Sequence, residues 1–312
     1  MRYLRLSPII LGIAVFCSPA FAQSAVPQSP QKPIEPLLPG MTRNPPCATH
    51  HTFNSASLKR EMAYCILLPA DYEKSQRSYP VLYLLHGLWG SENDWLAKTD
   101  VAQLARSLPL IVVMPEGDDS WYTNSDENPG NRYEDYLFKD VIQHIESSYR
   151  VQKIREGRFL AGLSMGGYGT VKGATKYPQM FAAVGAFSSA LGVAREDDGR
   201  GRFISIKLAF GKLGSQTRRD NDVFPLLAKA DIAQLPYIFE SCGERDQLEP
   251  LNLQFAQMLR NLDAAYEYHE LPGAHEWPVW EVSLKLFLDS LERRKLLSPL
   301  SVSTKPSASS AP

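Results

Sequence analysis

Gly162-Leu163-Ser164-Met165-Gly166 places a serine between two glycines, after the apolar run Arg158–Leu163 and before a helical pattern that stops at Pro178. This is the G-x-S-x-G spacing of a sharp strand–turn–helix corner, where a Cβ at either flanking position would clash. The chemistry such a corner serves is nucleophilic acyl transfer. The serine Oγ is pushed out above the sheet, and the free N–H groups of the next helix favour a developing oxyanion. Ser164 is the candidate nucleophile.

A serine hydroxyl needs a base, and on this kind of corner the partners follow in the order Ser, acid, His. Only His269 and His275 lie beyond Ser164. His269 falls inside the strand pattern Tyr266–Leu271, whereas His275 sits just past it and is favoured as the base. The acid belongs after the strand Tyr237–Ser241, where Asp246 is preferred to Glu244. A competing role for Asp246 is to cap the next helix, and one carboxylate is not expected to fill both roles easily. For the oxyanion, one donor is the amide of Met165. The other comes from His86-Gly87-Leu88-Trp89-Gly90, with Leu88 chosen and Gly87 and Trp89 as its neighbours. His86 is read as a structural histidine holding that loop.

These residues need a sheet to hold them. His50–Phe53 and Glu61–Leu68 read as an antiparallel hairpin; Tyr79–Leu85 and Leu110–Met114 read as buried strands. Helical patterns cover Asp100–Leu108, with Asp100 as N-cap, and Tyr133–Tyr149, Ser164–Tyr177, Glu249–Leu262 and Trp277–Arg294. Phe181–Phe187 supplies a further strand. Strand–helix alternation of this kind predicts an α/β fold with a mostly parallel sheet and helices on both faces.

The chain has 312 residues, of which 44% are hydrophobic and 21% charged, enough apolar material for a large core. A net charge of -1 offers no basic excess for nucleic acid. Residues 1–22 have the pattern of a secretory signal: Arg2 and Arg5, an apolar stretch Pro8–Phe16, and Ala20-Phe21-Ala22 before the expected cut. The stretch is too short to span a bilayer, and Phe16 before Cys17 argues against lipoprotein processing. Removing two arginines brings the charge to -3. Residues 23–46 hold seven of the 23 prolines and read as a disordered leader, and residues 298–312 read as a disordered tail. The expected catalytic domain is 47–297, in an exported protein of the periplasm or the extracellular space.

The segments REMAYCILLPADY, YPVLYLLHGLWG, NRYEDYLFKDVIQHIESSYRV, AGLSMGGYGTVKGATKYPQMFAAVGAFSSAL, CGERDQL and GAHEWPVW resemble the putative-esterase family of α/β-hydrolases. That family includes S-formylglutathione hydrolases, tributyrin esterases, feruloyl and acetyl-xylan esterases, and mycolyltransferases. The resemblance covers nearly all of 47–295 and is nearest to the tributyrin-esterase-like bacterial branch. It implies the α/β-hydrolase fold, the triad Ser164, Asp246 and His275, and an oxyanion hole at Leu88 and Met165. It implies a serine esterase without cofactor, acting on a small-molecule or carbohydrate ester. The export signal argues against a cytosolic glutathione-dependent role. An acyltransferase using a sugar or lipid acceptor, and a non-catalytic binding protein on the same scaffold, are the competing readings. The histidines and cysteines show no metal-binding spacing.

The long loop 115–132 suggests a functional wall, with Trp121 and Tyr122 joining Trp89 around the pocket and Asp118, Asp119 and Asp126 adding acidity. The insertion 190–235 predicts cap helices at Phe203–Phe210 and Val223–Ala230 that set substrate size. A hairpin turning around 55–59 would put Cys47 opposite Cys65 or its neighbour, which predicts a disulfide. Cys242 reads as a small buried residue.

Overall fold

The computed structural model describes residues 48–125, 127–196 and 204–297. The expected signal (1–22), leader (23–46), tail (298–312), Cys47 and Asp126 lie outside the described residues.

Eight strands form one sheet: β1 Ala48–Ser55, β2 Arg60–Leu67, β3 Val81–Leu85, β4 Ile111–Pro115, β5 Arg158–Leu163, β6 Ala183–Phe187, β7 Tyr237–Gly243 and β8 Tyr266–Leu271. Their order is β1-β2-β4-β3-β5-β6-β7-β8. The β1–β2 and β2–β4 pairs are antiparallel and the rest are parallel. The mostly parallel α/β sheet expected from strand–helix alternation is therefore present, in the α/β-hydrolase architecture that the family resemblance implies.

The described helices are α1 Asp94–Lys98, α2 Val101–Arg106, α3 Tyr133–Asp135, α4 Ile142–Ser148, α5 Met165–Lys176, α6 Ile204–Phe210, α7 Gln216–Asp220, α8 Val223–Ala228, α9 Glu249–Asn261 and α10 Trp277–Arg293. A π-helical turn, Tyr136–Val141, joins α3 to α4, where the sequence predicts one uniform helix. Asp100 precedes α2 but makes no side-chain cap bond there.

Central strands are buried on both sides because their neighbours alternate. On β3, Val81, Tyr83 and Leu85 enter one core with Tyr168 and Val171 of α5. Leu82 and Leu84 enter the other with Trp280 and Leu284 of α10. This explains the near-continuous apolar runs in the sequence.

Strand order also fixes where chemistry can occur. From β3 the chain moves outward to β4 and then returns to the other side of β3 as β5. The loops leaving β3 and β5 thus diverge at a topological switch point, the place where parallel sheets open a crevice. Leu85 pairs with Gly162, which sets the His86–Gly90 loop beside Ser164.

The strand register behind the expected disulfide is corrected, and Cys47 itself lies outside the described residues. The β1–β2 ladder closes on Ser55 and Arg60, and Lys59 takes a left-handed φ of 55° in the turn. That register puts His50 opposite Cys65. Cys65 is a free buried thiol, and its Sγ donates to Asn93 Oδ1 at 3.2 Å. Burial, with the Glu92 charge second, pushes its pKa up to about 11. Cys242 is also free and buried.

Candidate active site

Ser164 sits at the β5–α5 corner with φ 53° and ψ -113°, a backbone state non-glycine residues rarely adopt. The flanking glycines allow it. A Cβ on Gly162 would lie 2.6 Å from the Gly166 carbonyl carbon, and one on Gly166 would lie 2.6 Å from the His86 oxygen. The Ser164 amide donates to Phe187 O at 2.8 Å, fastening the corner to β6.

The candidate residues from three strand ends come together here. His275 Nε2 is 3.0 Å from Ser164 Oγ, and His275 Nδ1 is 2.8 Å from Asp246 Oδ2. Asp246 is 4% exposed. Burial works to raise its pKa, but the His275 hydrogen bond and further partners outweigh this and hold it below the usual carboxylate value. Its other oxygen, Oδ1, accepts from the Leu248 amide at 2.9 Å, just before α9. The N-cap of α9 is Leu248, with no side-chain cap bond, so the competing capping role is not one that Asp246 fills. Glu244 instead pairs with Arg245 at 2.9 Å. His269 stays on β8, stacked on Phe239 at 4.9 Å.

The β3 loop is oriented peptide by peptide. Gly87 O accepts from His86 Nδ1 at 2.8 Å and from the Gly90 amide at 3.1 Å. In a trans peptide the N–H points opposite to the C=O, so pinning this carbonyl inward turns the Leu88 amide toward the crevice. The Trp89 amide is committed elsewhere, donating to Asp119 Oδ1 at 2.7 Å. Met165 opens α5, so its amide has no partner within that helix. His86 is a buried anchor: Nε2 accepts from the Gly117 amide at 2.8 Å and lies 3.2 Å from Glu116. Burial lowers its pKa, but the Glu116 carboxylate outweighs burial and the net shift is upward.

Residues 55–288 match the model of the family described as putative esterase. The chain belongs to that family. The esterase is 30% identical over 244 residues to an acetyl esterase of Caldicellulosiruptor saccharolyticus, covering 73% of this chain and 91% of the other. Among solved structures it is similar to the fluorophosphonate-binding serine hydrolase F of Staphylococcus aureus, at 27% identity and TM-score 0.70, covering 78% and 97% of the two chains. It is also similar to a ferulic acid esterase, at 27% identity and TM-score 0.69, covering 79% and 97%. It is a carboxylic-ester hydrolase.

The esterase opens a cavity of about 550 Å³ directly over Ser164 and His275. Trp89, Trp121, Trp277 and Trp280 wall it, and Ile206 of α6 reaches it. Of the two predicted cap segments, α6 thus reaches the cavity. In contrast, α8 buries Val223, Phe224 and Leu227 in the core. Trp277 and Trp280, absent from the sequence-predicted pocket, stand at i and i+3 on α10. Trp280 sets its ring 4.9 Å from His275 at 83°. Their position just after His275 was the available signal.

Tyr122 is a correction. It does not line the cavity; it is 0% exposed and lies beneath the β3 loop. Gly117 and Gly169 leave room for its ring, and its hydroxyl donates to His86 O at 3.1 Å. It is a strut under the loop that carries Leu88. Tyr122→Phe is expected to lower kcat roughly three- to tenfold, about 1 kcal/mol of transition-state stabilisation, with KM unchanged. A parallel change in KM on p-nitrophenyl acetate would point instead to a pocket role.

Among the described residues, no group of three or more metal-ligating side chains forms, and no helix is long and apolar enough to cross a membrane.

Proposed function

We propose that this esterase works through Ser164, His275 and Asp246 by a two-step acyl-enzyme mechanism, and that it does so after export. The observation that carries the reading is the unbroken hydrogen-bonded chain from Ser164 Oγ through His275 to Asp246 at the floor of the cavity.

Ser164 Oγ attacks the ester carbonyl as His275 Nε2 takes its proton. Asp246 holds the Nδ1 hydrogen, so Nε2 is free to accept, and its charge favours the imidazolium that forms. The amides of Leu88 and Met165 receive the tetrahedral oxyanion. Collapse breaks the ester C–O bond, and His275 gives its proton to the departing alcohol. Water then repeats the attack on the acyl-enzyme, with His275 again as base and then acid.

The cavity volume suits a small-molecule ester. Its tryptophan walls favour a flat acyl group or a sugar ring over a long flexible chain. Acetyl and aromatic acyl esters, including those on carbohydrate, are the substrates to try first. The acetyl esterase and ferulic acid esterase relatives support that choice. Export rests on the signal pattern of residues 1–22.

An organophosphonate ester supplies the test. Full-length protein expressed with its own leader should incorporate one label, on Ser164, and lose p-nitrophenyl acetate hydrolysis in step. Its mature N-terminus should be Gln23. A label elsewhere, or hydrolysis that survives full labelling, rejects the mechanism, and an intact Met1 rejects the processing.

A further inference from the structure

The loop behind the cavity holds two consecutive non-glycine residues in the left-handed region, Trp121 with φ 56° and Tyr122 with φ 48°. Such a pair persists only where its surroundings over-determine it. The surroundings converge on Lys172 of α5, a lysine with a fully buried side chain. Its Nζ donates to Tyr122 O at 2.6 Å and to Thr123 Oγ1 at 2.8 Å. Thr123 Oγ1 passes its own hydrogen to Trp121 O at 2.8 Å. Both carbonyls of the left-handed pair are thus tied, directly or through one hydroxyl, to a single ammonium.

That ammonium is held charged. It lies 3.0 Å from Glu134 Oε2, and Glu134 is itself bound by Lys176 at 2.6 Å and by Tyr177 at 2.6 Å. Burial draws the Lys172 pKa down to about 8 while Glu134 opposes the fall. Burial pushes Glu134 up, but Lys172 and Lys176 outweigh it and bring Glu134 to about 2. A methionine would fill the same space without the desolvation cost of a buried ion pair. What a methionine cannot do is donate to the loop.

The loop's product is the Trp121 wall. Trp121 is 5% exposed, lines the cavity, and donates from Nε1 to Ser205 Oγ at 3.2 Å. We infer that Lys172, which touches no substrate, is a specificity-determining positioning residue that fixes the Trp121 wall through the carbonyls of Trp121 and Tyr122. This rests on the proposal that the cavity over Ser164 receives the ester.

Two variants and two readouts test it. Lys172→Met removes the ammonium, and Thr123→Val removes the hydroxyl relay while leaving the ion pair in place. The first readout is the ratio of kcat/KM for a feruloyl ester to that for p-nitrophenyl acetate. It should fall at least about fivefold in Lys172→Met, mainly through KM, and less in Thr123→Val, a change on the scale of a lost pocket contact. The second needs no activity: acrylamide should quench a tryptophan shielded in the native chain, and Trp121→Phe should remove that signal. An unchanged ratio with Trp121 still shielded, in whichever variant folds, overturns the inference. Should the wild type hydrolyse no ester and Ser164 take no label, the parent reading falls, and quenching alone then decides the role of Lys172.

Discussion

Ser164→Ala is expected to lower kcat by about 10⁵- to 10⁶-fold, and adding His275→Ala should cost almost nothing more. The reason is that in the proposed mechanism Ser164 and His275 act as one device. Without Oγ there is no proton for His275 Nε2, 3.0 Å away, to accept. The residual rate comes from the oxyanion donors and substrate binding, about 10³- to 10⁴-fold over water. Asp246→Asn should cost roughly 10⁴-fold, for a reason specific to this site. The Leu248 amide donates to Asp246 Oδ1, so the replacement side chain keeps its oxygen there and turns its NH₂ toward His275 Nδ1. An imidazole facing a donor at Nδ1 carries its hydrogen on Nε2, where it can no longer accept from serine. Single- and double-variant kcat values on p-nitrophenyl acetate, with unfolding midpoints as a control on folding, check this. Losses that multiply between Ser164→Ala and His275→Ala would show two independent contributions and sink the unit.

The sequence was most readable where structure is local. Gly162 to Gly166 lie within one turn, and the need for a corner without flanking Cβ atoms is written in those positions. His275 and Asp246 were reachable because each follows a strand whose end must lie at one edge of a parallel sheet. Three features were not readable. The hairpin register depends on where the turn closes, and the closure at Ser55 and Arg60 moved Cys65 to face His50. The exposure of neighbouring aromatics depends on backbone sign: left-handed φ at Trp121 and Tyr122 sends one to the cavity and one beneath the β3 loop. The π-helical turn Tyr136–Val141 shifts the face of its helix, so that three consecutive residues, Tyr136, Leu137 and Phe138, are all buried, a run that a one-sided 3.6-residue stripe does not present.

Glu240 supplies the largest expected change in stability. It is fully buried on β7, and neither carboxyl oxygen finds a hydrogen-bond partner among the described residues. Strand alternation puts it on the face of Ile238, in the core against α9, while Phe239 faces the opposite core. Its register partner Tyr268 also has an unpartnered hydroxyl. Burial pushes the Glu240 pKa well above its ordinary 4.5, so the folded protein holds this proton more tightly than the unfolded chain. The stability this supplies is complete below the unfolded pKa. As pH rises beyond it, stability falls by about 1.4 kcal/mol per unit until the folded pKa is reached. Cys242 and Glu249 lie near enough to act on the Glu240–Tyr268 pair, but they are common to wild type and variant and drop out of the difference. Glu240→Gln should therefore gain on wild type steadily from pH 5 upward, and Glu240→Leu, which also removes the unpaired oxygens, should add about 1–3 kcal/mol more. Urea midpoints from pH 5 to pH 8 measure it. A wild type whose stability runs parallel to that of Glu240→Gln across that range would mean Glu240 has a polar partner in solution and is ionised there, and the buried neutral carboxyl would have to be abandoned.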